Sequence, residues 1–122
     1  MADHIPRKSL SLEKWYPIPN KCHQNCFEWV TLNPNDETVR GWLCFDMSPL
    51  GFYRFASHSV IRTHKNQLID ITPTLTAVSQ PFLIDPLDEF LYEECIHSLF
   101  AAHGYTFLDH QIQDNSSVLI NT

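Results

Sequence analysis

The sequence has no run of basic residues. Eight Lys and Arg stand against fourteen Asp and Glu, for a formal charge of −6. Grip on a nucleic-acid backbone rests on a Lys/Arg stripe, so nucleic acid is not an expected partner. Nor does any apolar stretch approach the ~20 residues that span a bilayer. The opening "MADHIPRKSLSLEKWYP" lacks the apolar run of a signal peptide. The expectation is a cytoplasmic protein, in its cell of origin or in a host cell reached by another route, with no membrane partner. Without a sign of export, the four cysteines read as free thiols. Internal repeats and low-complexity segments are also missing. What is present is an ordinary globular balance, 43% hydrophobic and 18% charged, in 122 residues. That suffices for one domain with a core that needs no disulfide or metal staple.

Pro6, Pro17 and Pro19 mark residues 1–20 as an irregular N-terminal arm, with Trp15, Tyr16 and Ile18 expected to dock it. Residues 21–122 then form a single α+β domain. Asn20 is an expected N-cap for a helix ending near Leu32, with Cys22, Cys26, Trp29 and Val30 on one face. Asn33-Pro34 stops it. Three β-like runs follow, over 38–47, 52–63 and 67–72, joined by "SPLG" and "HKN". Links this short predict an antiparallel meander. "DPLDEFLYEECIHSLFAAHG" is the strongest helix, with Asp85 as expected cap, Pro86 in the first turn and Gly104 at the exit. Apolar residues on more than one face suggest that it is well buried. "YTFLDH" and "SSVLIN" are candidate last strands. The expected fold is an N-terminal helix packed on a small antiparallel meander, plus a C-terminal helix.

Chemistry gathers around a few residues. A helix beginning near Lys21 puts Cys22 in its first turn, where free N–H groups and the helix dipole favour a thiolate. Cys26 sits one turn deeper on the same face, as a core residue or a rival nucleophile. His58 lies mid-strand in "FASHSVI", and Asp70 interrupts the apolar "LIDIT"; polar groups there need partners. If "HKN" is a three-residue hairpin loop with Asn66 left-handed, Thr63 pairs with Gln67 and Val60 with Asp70. His58 and Asp70 then project from one face as diagonal neighbours, about 7 Å apart along the backbone. A Cys–His–Asp arrangement makes a nucleophile, a base and an orienting group.

This order of residues resembles the core of papain-like and transglutaminase-like thiol enzymes. "HSVI…LIDITP" is similar to the transglutaminase-like signature. The pattern "CHQN…RGW…HSV…LIDITP" looks like small, largely uncharacterised bacterial proteins. The resemblance spans roughly residues 20–73. It implies a thiol-dependent hydrolase or acyltransferase acting on an amide (peptidase, amidase, deamidase or transglutaminase-like). Cys22 is then the nucleophile, His58 the base and Asp70 the orienter, with no cofactor. The partner is a protein or small amide substrate. Papain-like peptidases carry C-x-x-C-W with the second cysteine active; here the spacing is one residue longer and Phe27 follows Cys26, which keeps Cys26 in contention. No oxyanion-hole residue stands out; Gln24, Asn25 and the helix-start N–H groups are candidates by proximity.

Two other readings compete. Cys22, His23, Cys26 and His58 are potential zinc ligands, although Cys22 and His23 diverge by about 100° on a helix and no second ligand pair follows. A non-catalytic binding or inhibitor module on the same fold would use Trp15, Trp42 and the aromatic "FYRF" as its surface.

Overall fold

A computed structural model describes residues 3–12, 14–74, 80–86 and 88–112. The chain is mixed α+β, with helix α1 over Cys22–Leu32, strands β1 (Glu37–Met47), β2 (Phe52–Arg62), β3 (Leu68–Ile69) and β4 (Phe82–Ile84), helix α2 over Glu89–His103, and strand β5 over Phe107–Gln111. The sheet runs β3-β2-β1-β4 with every pair antiparallel, and β5 adds to β2. Candidate strand "SSVLIN" lies outside the described residues. Among the described residues no helix is long and apolar enough to cross a membrane.

β1 and β2 are joined by a single 3-10 turn, Ser48–Leu50, closed by Gly51 at φ 89°, a left-handed conformation that glycine adopts without strain. The next link sets the register of the site. Thr63 N–H donates to Gln67 O at 2.8 Å and Asn66 has φ 62°, so "HKN" is the three-residue loop that the sequence predicts. Ile61 pairs with Ile69 and Arg62 with Leu68. Val60 therefore lies opposite Asp70, and His58 and Asp70 share a face.

β1 accompanies the whole length of β2 on one edge. The other edge is shared: β5 pairs with residues 52–56 and β3 with residues 61–62. Among the described residues, 58–60 of β2 pair with neither strand there, while Ser57 N–H donates to Thr106 O at 2.9 Å. The start of α1 packs beside this stretch.

Three apolar clusters hold the layers. Cys26 and Trp29 of α1 pack on Ile61, Ile69 and Ile71, with Leu10 and Trp15 of the arm against them. Val39, Val60 and Phe82 make a second cluster, joined by Ile5. Trp42, Tyr92 and Ile96 seat α2 on β1. The arm is thus docked by Ile5, Leu10 and Trp15; the Tyr16 and Ile18 side chains are exposed, at 74% and 45%. Helix α2 buries a single stripe, and Phe90 and Phe100 stand in solvent, which corrects the expectation of deep burial.

Both expected N-caps are displaced. Lys21 occupies the cap of α1 and provides no side-chain bond, while Asn20 sits at φ 61° one residue earlier. Asp88, not Asp85, caps α2 by accepting from Leu91 N–H. Asp85 instead accepts from the Trp42 indole at 3.2 Å. In both cases a candidate oxygen stood too far upstream of the first helical turn. Gly104 closes α2 at φ 78°, as expected.

Candidate active site

Cys22 is the first residue of α1. Helix starts leave backbone N–H groups unpaired, and here no side chain caps them. The thiol therefore sits where the helix favours negative charge. It comes close enough to His58 for the imidazole to favour its thiolate. His58 is 8% exposed and Asp70 5%. The His58 Nε2–H donates to Asp70 Oδ2 at 2.7 Å, which leaves Nδ1 for the sulfur. Asp70 Oδ1 accepts from Thr72 N–H at 3.1 Å. Both carboxylate oxygens are thus engaged, and the imidazole orientation is set from behind.

The electrostatics follow from these contacts. Burial acts to raise the Cys22 thiol, but hydrogen bonds from His23 and His58 and the imidazole charge outweigh it and bring the pKa to about 5. Burial acts to lower His58, but hydrogen bonds to Asp70 and Cys22 and their negative charges raise it to about 9. Both shifts favour a thiolate–imidazolium pair at neutral pH. Cys26 is the opposite case. It is fully buried, and burial in the core, with the Cys22 and Asp70 charges, pushes its thiol upward. The two cysteines, one turn apart, face a cavity and a core respectively.

Cys22 and His58 line a cavity of about 240 Å³. Leu43, Phe45 and Pro73 form its apolar wall; Asn20, Ser57, Thr72 and Thr74 are polar, and Arg7 completes the lining. Neither expected oxyanion donor is there. Gln24 is exposed. Asn25 is buried, its Oδ1 accepting from Ile18 N–H at 2.9 Å and its Nδ2 donating to Ile18 O and to Thr72 Oγ1 at 2.8 and 3.1 Å. Asn25 ties arm, helix and the residue that holds Asp70, and both its N–H donors are used, so none is left for an oxyanion.

Three residues at the site carried no such role in the sequence reading. The arm pairs directly with Asp70: Asp70 N–H donates to Pro6 O, and Lys8 N–H to Asp70 O, at 2.8 and 2.9 Å. This puts Arg7 beside the triad. Tyr92, fully buried, sends its hydroxyl to Gly41 O at 2.7 Å, against the strand pair that carries His58. His23 contacts Cys22, Ser57 and Ser59. No pattern of spacing signals these contacts, because each joins segments far apart in the chain. Among the described residues, no group of three His, Cys, Asp or Glu side chains is arranged to hold a metal ion.

Comparison with protein-family models, with curated proteins and with solved structures finds no match to this chain.

Proposed function

We propose that this chain is a thiol-dependent acyl-transfer enzyme acting on an amide, with Cys22 as nucleophile, His58 as acid–base and Asp70 as the orienting carboxylate. The α1–β2–β3 unit is read as a papain-like or transglutaminase-like core, on the order and placement of these three residues. The observation that carries the reading is a helix-start thiol against a strand imidazole whose far nitrogen is held by a buried carboxylate, opening on one cavity.

The steps follow from the parts. The Cys22 thiolate attacks the carbonyl carbon and a C–S bond forms. The oxyanion faces the uncapped N–H groups at the start of α1. Collapse of the adduct breaks the C–N bond, and the His58 imidazolium gives its proton to the departing amine. Neutral His58 then takes a proton from water or an acceptor amine, which displaces the thiol and regenerates the pair. Asp70 keeps the imidazole in place through both half-reactions.

The test is alkylation by iodoacetamide as a function of pH, read per cysteine by mass spectrometry. Cys22 should react with a midpoint near pH 5, against about 8.5 for an ordinary thiol. At about pH 6 it should outpace Cys44, whose thiol burial pushes upward, at least roughly 10-fold, from its thiolate fraction less the lower nucleophilicity of a low-pKa thiolate. His58→Ala should move the midpoint toward the ordinary value. Labelling of Cys22 at the pace of Cys44 removes the proposal.

A further inference from the structure

We propose that the cavity beside Cys22 accepts an acyl group bearing a carboxylate, and that Arg7 is the residue that recognises it. The inference rests on the thiol-enzyme reading and adds the substrate class.

The sequence has four arginines. Three are committed: Arg40 to Glu89 and Glu93, Arg54 to Asp109, and Arg62 to Glu37. Arg7 has no ion pair or side-chain hydrogen bond among the described residues, yet it lines the cavity with Cys22 and His58. Its position is not left to a loose arm. The flanking residues Pro6 and Lys8 both bond the Asp70 backbone, so the side chain leaves the chain at a set point next to the triad. Arg7 is exposed and its guanidinium donors are free, so from this fixed backbone point it can take a carboxylate bidentately.

The rest of the cavity limits what carries that carboxylate. About 240 Å³ is below the roughly 300–1,000 Å³ of sites that enclose a whole small molecule. It admits a group the size of one side chain. Leu43 and Phe45 suit a short run of methylenes between the reacting carbonyl and the anion. The chain as a whole is acidic, at −6, so its long-range field does not gather anions; discrimination has to come from the local cation.

Two 4-nitrophenyl esters of equal chain length test this on the full chain: the glutarate monoester, which ends in a carboxylate, and the pentanoate, which does not. Each acylates Cys22 as the C–O bond to nitrophenolate breaks and the C–S bond forms, read as the acyl adduct on Cys22 by mass spectrometry because the glutarate carboxylate also expels nitrophenolate unaided. The glutaryl ester should acylate about 2- to 5-fold faster, the worth of an exposed ion pair. Added salt should shrink that ratio. Arg7→Gln should bring it toward one, and Arg7→Glu should invert it. Equal rates in the natural chain, or a preference that survives Arg7→Gln, overturn the assignment of Arg7 and leave the thiol reading standing. Acylation by neither ester overturns both.

Discussion

His23 follows the candidate nucleophile and reaches the opposite face of β2. Residues 57 and 59 alternate with His58 along the strand, so the divergence of Cys22 and His23 on α1 sends one to each face. Its tautomer can be read from its neighbours. The Arg40 guanidinium only donates, and it lies 3.5 Å from Nδ1. Ser59 Oγ is 2.5 Å from the same nitrogen and donates to it. Nδ1 is therefore an acceptor, and the ring proton sits on Nε2. Ser57 Oγ, 3.3 Å from Nε2, donates onward to Thr106 Oγ1 at 2.7 Å, so it accepts from the imidazole. That N–H is engaged by Ser57, so His23 lowers the Cys22 thiol by its nearness and not as a free donor. His23→Ala should thus raise the alkylation midpoint of Cys22 while leaving far-UV circular dichroism intact. An unmoved midpoint would assign the whole effect to His58. The sequence makes His23 visible only as a possible zinc ligand, because its partners Ser57, Ser59 and Arg40 come from strands whose packing on α1 no local pattern encodes.

At the scale of elements, what was legible is the part governed by short links. The "HKN" loop with left-handed Asn66 sets the register that brings His58 and Asp70 to one face. A helix ending at Asn33 and two long strands also follow from local residues. The illegible part is long-range pairing. The arm joins β3 at Asp70, β4 adds beyond β1, and β5 returns to β2. None of these partners is near in sequence. Gly41 shows how tightly the β4 addition is built. It pairs with His58 on one side and Ile84 on the other, and a Cβ there would overlap Leu83 O and the Phe82 ring. Phe82 also packs edge-on to His58, with centroids 6.1 Å apart. The close approach of β4 that glycine permits thus backs the imidazole. Forcing a methyl group into such a space costs about 1–3 kcal/mol. Gly41→Ala should lose that much in urea unfolding, and a change below about 0.5 kcal/mol would mean that β4 yields easily.

For the whole molecule, the paired charges make a statement about stability against pH. His58 is raised from 6.5 to about 9, so its contribution is fully present below 6.5 and lost as pH rises through 9. Cys22 is lowered from 9.0 to about 5, so its contribution is present above 9.0 and lost as pH falls through 5. Between pH 6.5 and 9 the folded site holds one proton, on His58, and the unfolded chain also holds one, on Cys22. Proton uptake on unfolding is then zero, and the two contributions cancel in the slope. Cys22→Ala breaks the balance. His58 loses the raising effect of Cys22 and keeps burial, which lowers it, against Asp70, which raises it. From 5 to 6.5 the natural chain gains stability, as its folded thiolate releases a proton that the unfolded thiol keeps. Urea melts of both chains at about pH 5.5, 7 and 8.5 measure this, since every titration common to the two cancels in the difference. The natural chain should gain on Cys22→Ala between pH 5.5 and 7. A constant difference would mean that no thiolate–imidazolium pair exists in the folded protein.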